Sequence, residues 1–333
     1  RCKLLKFGIG LVPFEECEIS VKYSIKAEKA GMNYVFISDH LQGRNIYICL
    51  TAVALKTEKI LIGPGITNPY YIHPVITAQL LSSIDELAPG RLVCGLGAGD
   101  STNLKRVGIK QEKPVAAVKE ASQIIRSSLS GDTVNIDGKI FKISDQNLSF
   151  PKSNGIPILI GAQGEKMLNL AGEIGDGVII NAADSFECEL GIKSVRQGAE
   201  LVGKNLGKFE FAAAMPFSVA RKSEEAVKRV LGSAALIAAG SPYSLLERHG
   251  ISLEDRDNVR KALLENDYVS LTKSVTPEMV NSLTIAGTPE HCIERIISLD
   301  KSGISLIVLS TPLGPDPEKA IDIISQEIMP QFD

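Results

Sequence analysis

The sequence predicts an α/β protein folded as a closed (β/α)8 barrel, the TIM barrel, with insertions. Three observations favour this fold. Eight short apolar runs recur along the 333 residues, helical patterns lie between many of them, and most runs are apolar nearly throughout. Alternation of strands and helices indicates parallel strands joined by crossovers, and continuously apolar strands are typical of a sheet that helices cover.

The candidate strands differ in length but share apolar, often β-branched composition. In chain order they are LKFGIGLV (5–12), YVFIS (34–38), KILIG (59–63), RLVCGLG (91–97), IPILIG (156–161), DGVIIN (176–181), KFEFAAAMPF (208–217) and ISLIVLS (304–310).

Between these strands, apolar residues recur at helical spacing, and each such stripe predicts one buried helix face. The clearest stripes are Ile76, Leu80, Ile84 and Leu87; Met167, Leu170, Ala171 and Ile174; and Ile293, Ile296 and Ile297.

A doubly wound nucleotide-binding sheet is the rival fold, and the sequence disfavours it. Its glycine fingerprint G-x-G-x-x-G requires a third glycine, whereas the matching stretch GLGAGD carries Asp100 at that position.

Two stretches interrupt the regular spacing of the barrel elements. Asp137 and Gly138 separate two short alternating runs, which predicts a β-hairpin over about 132–143. We interpret a second insertion over about 240–286 as helices that cover the rim of the barrel and have no separate core. Neither insertion resembles a linker, so we expect residues 1–333 to form one TIM-barrel domain.

Composition excludes several classes of partner. A formal net charge of -3 offers no general field for nucleic acid or an anionic membrane. The longest apolar run, 230–240, is too short to span a bilayer, and the first residues lack a secretory signal, so a cytoplasmic location is expected. The cysteines and histidines show no metal-ligand spacing, so no metal is expected.

Polar and glycine-rich residues follow the strands, where a (β/α)8 barrel collects its chemistry. These stretches are SDH (38–40), GPGITN (63–68), GAGDS (97–101), GAQGE (161–165), IN (180–181) and STPLGPD (310–316). Each glycine either makes a tight turn or lets a flat or phosphorylated ligand approach the backbone. The GAQGE stretch precedes a predicted helix, whose first N–H groups form a natural anion site.

Two carboxylates and a histidine on this rim are open to two interpretations. Asp39 caps a helix beside a packed His40, or the pair belongs to an active site, where a histidine is easily poised near neutral pH. Asp100 is likewise a helix N-cap or a site carboxylate.

Taken together, SDH, GPGITNPY, DELAPGRLVCGLGAGD, GAQG and the late AAGSP and ERHG stretches resemble methylenetetrahydromethanopterin reductases. These belong to the bacterial luciferase-like superfamily and use coenzyme F420, an 8-hydroxy-5-deazaflavin. The resemblance runs from Lys6 to about Pro330. It implies a luciferase-like TIM barrel and a cytoplasmic homo-oligomer, a dimer or tetramer.

The resemblance also implies an activity. This is the reversible, F420-dependent reduction of 5,10-methylenetetrahydromethanopterin to the 5-methyl form by direct hydride transfer, with a small-molecule pterin as substrate and neither FMN nor a metal. It places a cis peptide bond at Gly65-Ile66, in a bulge that backs the deazaflavin ring.

Site residues follow from the same motif matches. The candidate catalytic residues are Asp100 and His40, and the candidate substrate-binding residues are Asn181 and Gln163. The implied cofactor-binding residues are Asp39, His40, Gly65, Ile66, Thr67, Asn68, Ala98, Gly99, Gly161, Ala162, Gln163 and Gly164.

One position departs from the family pattern. Gly10 stands where the family's first strand carries a glutamate that is proposed to handle a proton. Asp100, His40 or water then does this work, or the substrate differs. The alternatives are an F420-dependent alcohol or sugar-phosphate dehydrogenase of the same fold, and an F420-binding protein with little catalysis.

Overall fold

The computed structural model describes residues 4–150, 155–265 and 267–332. All eight candidate strands are present, and three further strands accompany them. The strands are β1 (Lys6–Leu11), β2 (Tyr34–Ile37), β3 (Leu61–Pro64), β4 (Cys94–Leu96), β5 (Val134–Asp137), β6 (Lys142–Gln146), β7 (Ile158–Ala162), β8 (Gly177–Asn181), β9 (Glu210–Val219), β10 (Ile285–Gly287) and β11 (Leu306–Leu313).

Helices separate most of these strands. They are α1 (Cys17–Lys29), α2 (Ile46–Ala54), α3 (Pro74–Leu87), α4 (Ser101–Arg106), α5 (Pro114–Ser130), α6 (Glu165–Ile174), α7 (Ser185–Leu201), α8 (Ser223–Gly240), α9 (Tyr243–Arg248), α10 (Leu253–Leu264), α11 (Tyr268–Ser274), α12 (Pro277–Leu283), α13 (Pro289–Lys301) and α14 (Pro317–Ile323).

The strand order of the main sheet confirms the predicted (β/α)8 fold class. The order is β3-β2-β1-β11-β9-β8-β7-β4, with β10 beside β9. The end strands β3 and β4 meet through two parallel bridges, Ile62 with Leu92 and Thr67 with Leu96. Eight strands therefore follow one another around the sheet, and the register is parallel in β1–β2, β2–β3, β4–β7 and β7–β8.

Contacts group the described residues into two compact units. One unit comprises the described parts of Arg1–Phe7, Asn181–Glu189 and Ala213–Asp333, and the other comprises those of Gly8–Ile180 and Leu190–Ala212. The interpretation of residues 1–333 as one domain stays a prediction.

In the unit that comprises Gly8–Ile180 and Leu190–Ala212, the face that α3 buries differs from the predicted one. The stripe Ile76, Leu80, Ile84 and Leu87 was expected to be buried, but Ile76 and Leu87 are exposed. Helix α3 packs on α5 and buries a neighbouring face, which consists of Thr77, Ala78, Leu81, Ser82, Ile84 and Asp85. Small side chains on this face allow close helix approach, whereas Ile76 and Leu87 of the predicted stripe are exposed and only Ile84 of the stripe is buried. The stripe in α6 does include buried residues, Leu170 and Ala171.

The hairpin lies between α5 and β7. Strands β5 and β6 pair antiparallel, and the Glu120 carboxylate of α5 accepts hydrogen bonds from the backbone N–H groups of Lys139, Ile140 and Phe141 at 2.7–3.0 Å. These bonds lower the pKa of Glu120 although burial opposes them. The turn is therefore fixed by a carboxylate of a neighbouring helix.

In the other unit, the late insertion consists of helices α9 to α12, and these contribute to one hydrophobic cluster. The cluster also includes the end of α8, and its buried members are Ala235, Ala238, Leu245, Leu246, Ile251, Val259, Ala262, Leu271, Met279 and Leu283. Because the cluster is shared with α8, the interpretation of the insertion as helices without a separate core stays a prediction. Each of the four helices buries only one to three apolar residues, too few to predict the cluster helix by helix.

Two helical glycines provide a matched stability test. A Cβ on Gly172 of α6 would lie 1.9 Å from the Val195 carbonyl oxygen of α7, whereas a Cβ on Gly232 of α8 would meet no atom within 4 Å. We expect Gly172→Ala to lower the free energy of unfolding by about 1–2 kcal/mol through overpacking. Gly232→Ala should raise it by about 0.5–1 kcal/mol, because alanine favours the helix.

Urea denaturation of both variants measures these changes. If Gly172→Ala were as stable as Gly232→Ala, the close approach of α6 and α7 in the structure would be contradicted.

Candidate active site

The loop after β2 is joined to the bulge after β3 by backbone and side-chain hydrogen bonds. Ser38 Oγ donates to the carbonyl oxygen of Gly65 at 3.0 Å, and the Asp39 N–H donates to the carbonyl oxygen of Ile66 at 3.4 Å. The Gly65-Ile66 peptide bond is cis, which confirms the sequence-based prediction. The segments SDH and GPGITN therefore form one structural element.

Thr67 connects this element to a carboxylate. Its fully buried hydroxyl donates to Asp39 Oδ2 at 2.8 Å, and the Tyr47 hydroxyl of α2 lies 3.4 Å from Thr67 Oγ1. Burial raises the pKa of Asp39, and the Thr67 hydrogen bond and the nearby His40 offset part of that rise. Asp39 is thus a desolvated carboxylate with a fixed hydrogen-bond donor, and it does not cap α2, because Asn45 is the N-cap.

The Ile66 side chain rests on bare glycine backbone. A Cβ on Gly97 would lie 2.2 Å from Ile66 Cδ1, and a Cβ on Gly161 would lie 2.7 Å from the same atom. A Cβ on Gly95 would lie 2.4 Å from the Pro64 carbonyl oxygen. We call Gly95, Gly97 and Gly161 the glycine cradle. Because Ile66 is only half-buried, the cradle supports it from behind and leaves part of it open to a ligand.

Asn68 and Gly99 form a second close contact. The buried Asn68 accepts hydrogen bonds from the N–H groups of Tyr70 and Tyr71 at 3.1 Å, which holds its amide in place. Gly99 has a φ of +72°, and a Cβ there would lie 3.0–3.2 Å from the Asn68 side chain. Glycine is therefore required at this position for both conformation and space.

His40 lies within electrostatic range of two carboxylates. Burial lowers the pKa of His40, Asp100 and Asp39 raise it in part, and Arg106 lowers it further. The edge of the Phe14 ring packs on the imidazole, with 5.0 Å between ring centroids. The net effect is a pKa below the ordinary value of histidine, which favours the neutral imidazole at pH 7.

Asp100 caps α4. Its Oδ1 accepts a hydrogen bond from the Asn103 N–H at 2.7 Å, and the side chain is exposed. The N-cap interpretation is therefore confirmed. The same carboxylate also lies within electrostatic range of His40, whose pKa it raises in part.

The remaining site candidates follow β7 and β8. Gly161 and Ala162 end β7, Gln163 is half-buried, and Gly164 is the N-cap of α6, where it has no side chain to occupy the first N–H groups. Asn181 is the exposed last residue of β8. Gln163 and Asn181 take part in none of the contacts described above.

Two residues that position the candidate site were missed from the sequence. Tyr47 contacts Thr67 from α2, and the Gln111 side-chain amide donates to the carbonyl oxygens of Ala98 and Gly99 at 2.8 and 3.0 Å. Tyr47 lies in a helical segment and Gln111 in a charged loop, so neither stands in a motif that follows a strand.

The described residues contain neither a metal-binding cluster nor a membrane-spanning helix. Among 4–150, 155–265 and 267–332, no group of three or more His, Cys, Asp or Glu side chains is arranged to hold a metal ion. In that same part of the chain, no helix has the length and apolar character needed to cross a membrane.

Comparison with known proteins gives consistent matches over the whole chain. The model of the luciferase-like monooxygenase family matches residues 20–306. The 5,10-methylenetetrahydromethanopterin reductase of Archaeoglobus fulgidus is 43% identical over 98% of this chain and 100% of the relative, and that of Methanolobus tindarius is 37% identical over the same shares. The structure of the coenzyme F420 dependent tetrahydromethanopterin reductase from Methanopyrus kandleri superposes with a TM-score of 0.93 at 32% identity, covering 99% of this chain and 100% of that chain.

Proposed function

This chain belongs to the luciferase-like monooxygenase family and, within it, to the 5,10-methylenetetrahydromethanopterin reductases, and from this premise we propose its reaction. The enzyme is an oxidoreductase that reversibly converts 5,10-methylenetetrahydromethanopterin to 5-methyltetrahydromethanopterin with coenzyme F420. The pterin is its small-molecule substrate.

The single observation that carries the proposal is Ile66 on the glycine cradle. A flat ring system needs a continuous, rigid apolar support, and Ile66 cannot retreat, because Gly97 and Gly161 already lie against its Cδ1 atom. A deazaflavin fits this apolar support, and its polar edges fit the groups around the support. These groups are Asp39, Thr67, Asn68 and the Ala98–Gly99 backbone. When bound, coenzyme F420 supplies or accepts a hydride at carbon 5 of its ring.

The chain's own residues orient the two reactants and handle the proton. Asp39 and Thr67 form a fixed donor and acceptor pair at 2.8 Å. His40 is neutral at pH 7 and lies near both Asp39 and Asp100, so it can accept or release a proton beside the rim. These groups compensate for the absence of a carboxylate at Gly10. Gln163 and Asn181 are proposed to contact the pterin.

The amino end of α6 supports the binding of an anionic cofactor group. Gly164 leaves the first N–H groups of the helix without a side-chain cap, and such groups favour phosphate. Lys166 and Glu165 carry opposite charges in the same turn of α6, so side-chain charge alone does not determine whether an anion binds there.

We further propose that the enzyme needs neither FMN nor a metal, acts in the cytoplasm and forms a homodimer or homotetramer. Exposed apolar residues support the oligomer. Ile48 on α2 and Leu55 at its C-cap are 64% and 61% exposed, and on α3, Ile76 and Leu87 are 45% and 46% exposed. Each pair recurs on one face of its helix, as expected of a surface that another subunit covers.

Cofactor choice is the first test of the proposed function. Titration calorimetry of the purified chain should give much tighter binding for F420 than for FMN or a nicotinamide dinucleotide, because the site offers a rigid ring support and the sequence lacks the dinucleotide fingerprint. Preference for FMN or a nicotinamide dinucleotide would contradict the assignment.

Substrate choice is then read from the absorbance of the deazaflavin. Addition of methylenetetrahydromethanopterin to enzyme and reduced F420 should restore the absorbance of the oxidised cofactor. Turnover of oxidised F420 with a secondary alcohol or glucose 6-phosphate instead would favour the dehydrogenase alternative. F420 binding without any turnover would favour a binding protein.

A further inference from the structure

Two cysteines on neighbouring helices lie in direct contact. Cys17 is the first residue of α1 and Cys49 lies in the middle of α2, and their Sγ atoms are 2.9 Å apart. Both are free thiols. A disulfide bond is about 2.05 Å long, so the sulfur atoms need to approach by roughly 0.9 Å to form one.

The two thiols differ in their access to solvent. Cys17 is half-buried at the start of α1, whereas Cys49 is fully buried. Burial raises the pKa of the Cys49 thiol to about 12, the contact with Cys17 raises it too, and Arg44 offsets part of this rise. A redox-sensitive cysteine is accessible and stands next to a resolving cysteine. Cys17 meets the first condition and Cys49 the second.

The helices that carry this pair follow two loops that are already joined. The Arg44 N–H donates to the Pro13 carbonyl oxygen at 2.9 Å, and the Arg44 guanidinium donates to the carbonyl oxygen of Phe14. Phe14 in turn packs its ring edge on His40. A covalent link between α1 and α2 therefore ties together the loop after β1 and the loop that carries His40.

We propose that Cys17 and Cys49 form a reversible redox site, which closes to a disulfide when the enzyme meets an oxidised low-molecular-weight disulfide. This site is independent of the proposed hydride transfer, since neither sulfur is required for it.

The chemistry proceeds by two exchanges. The Cys17 thiolate attacks one sulfur of the disulfide R–S–S–R, forms a mixed disulfide and expels one R–S⁻. The Cys49 thiol gives up its proton and its sulfur attacks Cys17 Sγ, which expels the second R–S⁻ and closes the protein disulfide. Two protein thiols lose two electrons in total, the small disulfide is reduced to two thiols, and the two protons end on those thiols.

Oxidised glutathione provides the test on the full chain. The reduced protein is incubated with it under anaerobic conditions, the remaining thiols are alkylated, and the peptides are mapped by mass spectrometry. We expect a peptide pair linked through Cys17 and Cys49, and a melting temperature about 5 °C higher, because the link constrains a 32-residue separation. Dithiothreitol should reverse both changes.

Three variants define the roles. Cys17→Ser should show neither a mixed disulfide at these positions nor the rise in melting temperature. Cys49→Ala should accumulate a mixed disulfide on Cys17. Cys292→Ala removes another buried thiol and should form the Cys17–Cys49 link like the unmodified chain.

Two results would overturn the proposal. One is that Cys17 and Cys49 both remain open to alkylation in unfolded, oxidant-treated protein. The other is that oxidation links Cys17 to Cys2 or to any cysteine other than Cys49.

Discussion

Gly97→Ala is expected to weaken F420 binding roughly 100-fold, which corresponds to about 2.7 kcal/mol. The new Cβ would lie 2.2 Å from Ile66 Cδ1, while its next neighbours, the Gly161 carbonyl oxygen and Ile66 Cγ1, lie at 3.3 and 3.5 Å. The conflict therefore involves one atom. Ile66 must move off the cradle toward its open side, into the volume where the proposed ring lies. The dissociation constant from titration calorimetry measures the effect.

A double substitution distinguishes this conflict from general damage to β4. Ile66→Val removes Cδ1, the atom that the alanine would meet, so the chain with both Gly97→Ala and Ile66→Val should recover most of the lost affinity. If the double variant binds F420 as weakly as Gly97→Ala alone, the effect comes from the β4 backbone and the cradle has no special role.

Asp100→Asn is expected to lower turnover at least roughly tenfold, the low end of what general acid and base groups contribute, while the protein stays folded and binds F420. In the unmodified chain the Asn103 N–H donates to Asp100 Oδ1 at 2.7 Å. An asparagine oxygen can still accept this hydrogen bond, so the α4 cap is retained. Only the negative charge near His40 is lost. Steady-state rates with methylenetetrahydromethanopterin measure the change.

The pH dependence of turnover tests how Asp100 acts. Burial already lowers the pKa of His40, and the Asp100 charge raises it in part. Removal of that charge lowers the His40 pKa further, so the acid-side inflection of the rate profile should move to lower pH. A tenfold loss with an unmoved profile would show that Asp100 acts without His40, and unchanged turnover would show that the proton comes from elsewhere.

Asp100→Ala is the control for the helix cap. It removes both the charge and the hydrogen-bond acceptor, so it should match Asp100→Asn in turnover and also lose about 0.5–2 kcal/mol of stability. A rate loss confined to the alanine variant would assign the effect of Asp100 to the cap.

Much of the fold was predictable because it depends on local patterns. Each of the eight apolar runs overlaps a strand of the main sheet, and the first hairpin strand ends at Asp137, directly before Gly138. Strand composition and turn chemistry act over a few residues, so one sequence is enough to read them. The cis bond at Gly65-Ile66 was predicted from motif resemblance, since composition alone does not indicate it.

Helix faces were less predictable, because the neighbour decides which face is buried. In α3, Ile76 and Leu87 of the apolar stripe are exposed, whereas Ala78 and Leu81 pack inward. The sequence shows that an apolar face exists, but not whether a helix of the same chain or another subunit covers it. The hydrophobic cluster that helices α9 to α12 share with α8 was not predicted for a related reason, since it exists only when several short helices combine their few apolar residues.

The sequence by itself determined the order of strands and helices, the family and the rim segments that carry the candidate site. Only the tertiary structure decided which of these residues touch. Thr67 and Asp39 are 28 positions apart yet share a hydrogen bond. Ile66 rests on Gly97, which directly follows β4, and on Gly161 of β7. Cys17 of α1 contacts Cys49 of α2. Such contacts depend on how parallel strands and their helices are placed side by side, and hydrophobic periodicity within one segment contains no information about the segment beside it.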